Sequence, residues 1–349
     1  MSMLAEVVDV VIGVDTHKHT HTAAVIDAKT GAVLAELTVG TDPDGYAELV
    51  AMADAHSGLR AWSVEGTGGY GAGLTRYLDA REELVIELDR PNRPARRNGA
   101  KSDPLDAARA GREVLAREHL AQPRAAGERA ALAVRLAARR SAVDTSTVAQ
   151  RQLLSLIVAA PEMIRARFRG ITTTVTVATA ARLRMSPSWD LETRTYAETI
   201  RDLARRAQAM NAEAAAHEKA MLDIVRAWRP DLLDQLGIGA IVAATILCAW
   251  SHPGRCRNDA AFAMLAGVAP IPASSGLTTR HRLNRYGDRQ LNRALHTIVL
   301  SRLRYDPTTR AYAERRTTDG KTPREIKRCL KRYIARDLYK LLENPPSTT

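Results

Sequence analysis

At 349 residues, the chain has room for two domains, or for two domains and a spacer, and its 45% hydrophobic content is enough for buried cores. Aromatic residues make up only 4%, which argues against a nucleic-acid surface built mainly on stacked bases. The three cysteines, Cys248, Cys256 and Cys329, lack the spacing of a zinc site or a disulfide framework. No signal peptide and no membrane-spanning apolar run are visible, so we expect a soluble cytoplasmic protein.

The positive charge is concentrated at one end of the chain. Residues 251–349 carry 20 Lys and Arg against 8 Asp and Glu, so this segment accounts for the whole net charge of +12. A local excess of cations favours a polyanionic partner, because each neutralised phosphate releases counterions. A solvated basic surface is the alternative.

The first 125 residues predict an α/β domain with a mixed sheet. A hairpin comes first and strand–helix units follow, which is the order expected of that class. Asp42 or Asp44 can cap the first helix. The predicted elements are a strand at 7–15, a hairpin at 22–39 turning at 29–31, a helix at 42–55, a strand at 59–65, a helix at 74–80 and a strand at 84–89.

Residues 126–228 predict an antiparallel coiled-coil spacer. Apolar residues alternate at spacings of four and three from Tyr196 to Trp228, which is a coiled-coil pattern. Met210 and His217 fall in this seam, so a metal role for His217 is not expected. The earlier helix fits less well, because Arg139 and Gln150 interrupt its seam.

Residues 229–345 predict a mainly helical, basic domain. Gly237 and Gly239 open an apolar helix that resembles a helix-hairpin-helix element, whose exposed amides suit a phosphate. Near the end an amphipathic helix turns Ile and Leu residues at every fourth position towards a core and carries cations, also at every fourth residue, on another face. Arg324, Arg328 and Arg332 of this ridge are predicted to contact nucleic acid; a solvated face is the alternative.

Four acidic residues form a candidate metal site. Asp15 and Glu65 end predicted strands, and Asp103 and Asp106 share one helix face behind Pro104. Carboxylates delivered in this way suit two Mg²⁺ ions, which can clamp the attacking and leaving oxygens of a phosphoryl transfer. Taken singly, each acid is better explained as a helix cap or a strand end, and only the four together, in this order, favour a site.

Three histidines at alternate positions follow Asp15. A metal role is conceivable for His17, His19 and His21, but alternating histidines also occur on an exposed strand or loop. His17 is the candidate of the three, because it is nearest to Asp15.

Two further basic segments lie next to candidate catalytic residues, one before the acidic pair and one after a serine turn. The loop at 89–101 precedes the Asp103/Asp106 pair and could hold a phosphate backbone against the metals. The turn APIPASSG contains Ser274 and Ser275 just before Gly276, and an exposed serine there could attack a phosphodiester beside nearby arginines. A solvated loop and an ordinary turn are the alternatives. The predicted nucleic-acid-binding residues of the two segments are Arg93, Arg96, Arg97, Lys101, Arg280, Arg282 and Arg285.

Together the motifs VIGVDTHK, VEGTGGYG, KSDPLDA, GVAPIPASSG and RLNRYGDRQLNRALH resemble the DEDD transposases of bridge-RNA-guided insertion sequences, relatives of the Piv DNA invertases. The resemblance covers nearly the whole chain. It implies a RuvC-like RNase H-fold domain at 1–125, the coiled-coil spacer at 126–228 and a C-terminal transposase domain at 229–345.

The same resemblance implies how the residues act. Asp15, Glu65, Asp103 and Asp106 would bind Mg²⁺, two ions per site, and Ser275 would form a covalent phosphoserine link to DNA. The partners would be donor and target DNA, a structured guide RNA that supplies sequence specificity, and further copies of the chain in a dimer or tetramer.

Three other functions remain open at this point. A RuvC-like nuclease would cut by water attack and need no serine. An actin-like sugar kinase would explain the strand–Asp start and the glycines after Glu65, but not the basic end. A non-enzymatic architectural protein would leave the four carboxylates unexplained.

Overall fold

The computed structural model describes residues 3–88, 102–273, 281–284 and 286–345. The chain forms two compact units, Met1–Ala125 and Ala126–Thr349. Within the described ranges, none of the helices is long and apolar enough to cross a membrane.

The first unit is built on a five-stranded mixed sheet in the order β3-β2-β1-β4-β5. The first three strands form an antiparallel meander, β4 then pairs in parallel with β1, and β5 pairs in parallel with β4. This confirms the mixed sheet predicted from the sequence. The strands are β1 Val10–Thr16, β2 Thr20–Asp27, β3 Val33–Gly40, β4 Arg60–Glu65 and β5 Val85–Leu88.

Helices cover both faces of this sheet. Pro43–Asp54 (α1) and Ala72–Asp79 (α2) pack on one face, where Ile12 and Trp62 are fully buried. Asp103–Leu115 (α3) packs on the other face through a stripe of small residues.

Local signals in this unit act as predicted. The Asp42 carboxylate caps α1 by accepting a hydrogen bond from the amide of Gly45 at 2.9 Å. Gly31 adopts φ +71° in the β2–β3 hairpin turn, where the Asp27 side chain accepts from the amide of Thr30. These contacts involve neighbouring residues only, which is why the sequence pattern is informative here.

Two long helices dominate the first part of the second unit. Gly127–Ala159 (α4) and Leu191–Trp228 (α7) lie antiparallel, with Glu162–Arg165 (α5) and Thr173–Ala181 (α6) between them in the chain. The direction follows from cross-helix contacts, since Arg139 pairs with Glu218 while Ser146 bonds to Asn211.

The apolar positions of α7 lie against α4, α6 and the rest of the unit. Ile200, Leu203, Ala207, Ala214 and Met221 are all buried, whereas Met210 and His217 at the intervening positions are only half-buried.

The remaining helices surround one apolar core. Leu247, Phe262, Leu295 and Ile334 lie within it, and it extends to Leu132 of α4 near the base of the long helices. The predicted division of this unit at residue 228 stays a prediction. The elements are α8 Ala240–Trp250, α9 Asp259–Leu265, β6 Ile271–Pro272, β7 His281–Arg282, α10 Arg289–Tyr305, α11 Pro307–Thr318 and α12 Pro323–Glu343.

Candidate active site: an acidic cluster at the end of the central strand

Strand alternation places Asp15 and Glu65 on one face of the sheet. In β1, Ile12 and Val14 belong to the core beneath α1 and α2, so Asp15 faces the opposite side, towards α3. In β4, the hydroxyl of Ser63 donates to a backbone carbonyl of α3 at 2.9 Å, and Glu65 follows two residues later on that face. Because β1 and β4 are parallel neighbours, both acids stand at the same edge of the sheet.

A glycine contact brings α3 close enough for its acids to reach this edge. A Cβ atom on Gly13 would lie 2.1 Å from the carbonyl oxygen of Ala107 and 2.5 Å from the amide nitrogen of Gly111. The strand and helix backbones therefore come into contact at Gly13 and Gly111, neither of which has a side chain. The first turn of α3, with Asp103 and Asp106, consequently lies over the end of β1.

Asp15, His17 and Asp103 form a compact cluster. The Nε2 atom of His17 is 3.3 Å from Asp15 Oδ2 and 3.6 Å from Asp103 Oδ1. One donor atom from each residue lies within 4.8 Å of the other two, a separation that a single bound cation can span. The Asp15 side chain is only 14% exposed, whereas those of His17 and Asp103 are about half exposed, at 51% and 53%.

The electrostatics at Asp15 favour a bound cation. Burial raises the pKa of the Asp15 carboxyl above its usual value; the neighbouring His17 opposes this shift, while the negative charges of Asp103 and Asp106 add to it. Crowded carboxylates of this kind are the oxygen donors that hard divalent cations prefer. The residues present therefore fit a divalent metal.

The other two predicted acids lie beside this cluster. Asp106 Oδ1 accepts a hydrogen bond from Arg109 at 2.9 Å, an ion pair within one turn of α3. Glu65 is half-buried at the end of β4, and its backbone carbonyl accepts a bond from the Thr16 hydroxyl at 2.9 Å. All four predicted acids thus stand at one edge of the sheet, with Asp15 and Asp103 in closest contact with His17.

The three alternating histidines do not share an environment. His17 and His19 are exposed in the turn between β1 and β2, but His21 is fully buried and its ring stacks on Tyr46 with centroids 5.8 Å apart. The expectation of an exposed histidine strand is therefore wrong for His21. Its position in β2 points it into the core beneath α1, on the face opposite Asp15.

Several predicted residues lie outside the described ranges, and their roles stay predictions. They belong to the two basic segments and to the serine turn: Arg93, Arg96, Arg97, Lys101, Ser274, Ser275, Arg280 and Arg285.

A polar network supports the backbone that leads to the serine turn. The side-chain amide of Asn292 in α10 donates to the carbonyls of Ala266 and Gly267 at 2.8 and 3.3 Å. In return, the Asn292 amide oxygen accepts from Lys331 of α12 at 2.8 Å. Sequence reasoning missed both residues. The available signal was an amide in the first turn of a helix otherwise rich in Arg and Leu, next to the buried Leu291.

The basic helix α12 has the predicted amphipathic form, but its cations are not equivalent. Arg324 and Arg328 are exposed, as is Arg282 on β7. Arg332 instead donates to Asp259 of α9 at 2.7 Å, and this pairing lowers the pKa of the Asp259 carboxyl. Arg332 is therefore partly engaged within the protein.

The sheet order and the acids at the end of its central strand are consistent with a DEDD RNase H-like domain. A family profile described as "Transposase", of the DEDD type, matches residues 12–160. A second profile, described as "Transposase IS116/IS110/IS902 family", matches residues 231–314. The class defined by fold and site is thus that of the transposases.

Two curated relatives agree with this class. The chain is 26% identical to the "Insertion element IS900 uncharacterized 42 kDa protein" of Mycobacterium paratuberculosis, with 97% of each chain covered. It is 33% identical to the "Insertion element IS110 uncharacterized 43.6 kDa protein" of Streptomyces coelicolor over 27% of this chain and 23% of the relative. The chain belongs to the IS110 family of transposases, enzymes that cleave and join DNA. This membership decides against the sugar-kinase and architectural alternatives.

Proposed function

We propose that this transposase cleaves and rejoins DNA through a covalent phosphoserine intermediate at Ser275, assisted by divalent metal held by Asp15, Glu65, Asp103 and Asp106. The observation that carries the metal half of the proposal is the cluster of Asp15 and Asp103 around one point, with Asp106 near enough to raise the Asp15 pKa. The serine half rests on the family resemblance of the turn APIPASSG.

The proposed step retains the energy of the broken DNA phosphodiester bond in a new bond between protein and DNA. The Ser275 hydroxyl oxygen attacks a backbone phosphorus, so that a new Oγ–P bond forms while one P–O bond to deoxyribose breaks. The proton of the serine hydroxyl ends on the departing sugar oxygen, which leaves as an alcohol. One phosphodiester replaces another, so a sugar hydroxyl from a different strand can reverse the step and complete strand exchange.

Each part of the site has a role in this step. A bound divalent ion would offset the negative charge that builds on the phosphate oxygens. Asp15 and Asp103, fixed on β1 and α3, would hold this ion against the substrate. Cations near the acids and near the serine turn would hold the DNA backbone. Of the four predicted nucleic-acid-binding arginines that the structure describes, Arg282, Arg324 and Arg328 are exposed and suited to that task.

The assembly follows from the same resemblance. We infer that a structured guide RNA pairs with donor and target DNA, that the long helices α4 and α7 act as a coiled-coil spacer, and that the chain works as a dimer or tetramer. The low aromatic content of 4% supports this inference. Where a guide RNA pairs with the DNA, the protein does not itself have to recognise the base sequence.

The test compares two adjacent serines. A plasmid carrying the gene within its native flanking DNA serves as substrate and as source of any guide transcript. With Ser275→Ala, we expect excision and strand joining to be lost, and with Ser274→Ala to persist, since only Ser275 supplies the nucleophile. Strand cleavage that persists in Ser275→Ala, with free phosphate ends, would instead favour a nuclease that uses water.

A further inference from the structure

The proposed metal site contains one donor that is not an acid. Its position follows from the short turn that links β1 to β2: the backbone amide of His17 donates to the carbonyl of Thr20 at 3.0 Å and closes the turn. The Thr41 hydroxyl donates to the carbonyl of Lys18 at 3.2 Å and holds the same turn from the side. These two bonds hold the backbone of the turn, and with it the backbone of His17, next to the end of β1.

The imidazole of His17 is directed at the acids. Its Nε2 atom, 3.3 Å from Asp15 and 3.6 Å from Asp103, is the atom that lies within 4.8 Å of both carboxylates. His19, two residues later in the same turn, is exposed and is not part of this cluster. The two histidines thus provide a natural comparison.

We propose that His17 is a nitrogen ligand of the metal ion bound by Asp15 and Asp103, and that it makes this position select a first-row transition-metal ion over Mg²⁺. The proposal rests on the metal use put forward under the proposed function and changes the Mg²⁺ expected from the sequence.

The chemistry of the donor set supports this selection. Two carboxylates balance the charge of one divalent cation, and a neutral imidazole completes the set without adding charge. Mg²⁺ prefers oxygen donors in near-ideal octahedral geometry, whereas an imidazole nitrogen binds later divalent metals more strongly. The remaining acids, Glu65 and Asp106, offer oxygen donors only, so a second ion held by them would lack this preference.

The test measures metal binding on the full-length protein, without DNA, at one fixed pH. Mn²⁺ is titrated and the free ion is followed by electron paramagnetic resonance, for wild type, His17→Gln and the matched control His19→Gln. We expect His17→Gln to weaken Mn²⁺ binding by about tenfold or more, because loss of a ligand should cost at least as much as loss of a hydrogen-bond partner of a ligand. Mg²⁺ binding, measured by competition, should change much less, and His19→Gln should match wild type for both ions.

A spectroscopic readout separates ligation from packing. The bound Mn²⁺ of wild type and His19→Gln should show nitrogen modulation of its electron spin echo, and His17→Gln should lose it. Circular dichroism and thermal unfolding without metal establish that the variants are folded.

Several results would contradict metal ligation by His17. If His17 is only an ion-pair partner of the two acids, its removal will leave Mn²⁺ binding unchanged or tighter, and the proposal is wrong. Nitrogen modulation that survives His17→Gln overturns it as well. A wild-type protein that binds no divalent ion, or an Asp15→Asn variant that binds as wild type does, would instead defeat the metal part of the proposed function and the His17 proposal with it.

Discussion

The acidic cluster of the first unit and the basic region of the second are built in opposite ways. Asp15 and Asp103 lie on a central strand and on the first turn of a helix that touches it through glycine, so their positions are fixed by backbone packing. The exposed arginines of α12 project from a helix surface. The difference suits the tasks proposed for the two regions: metal ligands must be preplaced to within a fraction of an ångström, whereas a phosphate backbone can be held by charge that adapts.

The largest expected effect is the loss of activity on changing Asp15 in the acidic cluster of the first unit. Asp15→Asn should abolish DNA cleavage and joining, because it removes a carboxylate that is only 14% exposed and lies within the cluster. In metal-free buffer the same change should raise the melting temperature near neutral pH, since it removes a crowded charge.

The higher melting temperature expected for Asp15→Asn should depend on pH. The folded protein raises the Asp15 pKa above the usual 3.8, so the stability contributed by its bound proton is present below that value and is lost as the pH rises through the folded pKa. The advantage of Asp15→Asn should therefore shrink as the pH is lowered towards 3.8. Thermal unfolding in a chelator at several pH values checks this, and a variant less stable than wild type at neutral pH would contradict it.

The next effect concerns the contact that positions the acids. Gly13→Ala would place a methyl group 2.1 Å from the carbonyl oxygen of Ala107, so it should destabilise the first unit by about 1–3 kcal/mol and weaken metal binding. Gly68→Ala is the matched control, because nothing lies within 4 Å of an added Cβ there. Urea unfolding of both variants decides: equal stability would mean that the glycine contact does not set the spacing of α3.

A smaller effect is expected in the polar support of the second unit. Asn292→Ala removes the donor to the carbonyls of Ala266 and Gly267 and leaves Lys331 without its amide partner, which should cost about 1–3 kcal/mol. Asn344→Ala, which loses a single bond at the exposed end of α12, is the control. Should both variants unfold at the same urea concentration, the network would not support the backbone before the serine turn.

The smallest effect distinguishes two arginines of the same helix. Arg324→Gln should weaken DNA binding and reduce its salt dependence by about one unit in the logarithmic slope, as expected for one phosphate contact, without changing stability. Arg332→Gln should lower stability slightly, because Arg332 pairs with Asp259, and should change the slope less. Fluorescence anisotropy at several salt concentrations measures both, and equal slopes would show that the Asp259 pair does not withhold Arg332 from DNA.

The sequence predicted what depends on neighbours in the chain. The hairpin turn at Gly31, the Asp42 cap and the buried stripe of α12 all follow from local patterns. The order of acids on strand and helix was also sufficient to place Asp15, Glu65, Asp103 and Asp106 at one edge of the sheet.

What the sequence could not predict depends on packing between distant segments. The burial of His21 against Tyr46, the Arg332–Asp259 pair and the Asn292–Lys331 bond each join residues far apart in the chain. The contact of Gly13 with Gly111 has a partial signal in the sequence, because a glycine inside a strand or helix is unfavourable and suggests close backbone approach. That signal does not say which segment approaches the glycine.

The central claim, that DNA is joined through a serine link, is tested most directly by isolating the intermediate. The wild-type protein is incubated with the plasmid carrying its gene and native flanks in Mn²⁺ or Mg²⁺, denatured, and digested for mass spectrometry. The account predicts a nucleotide-bearing peptide modified at Ser275, which is absent after chelation and absent from Ser275→Ala. Joined DNA products that form without any protein–DNA adduct, or an adduct on another residue, would contradict it.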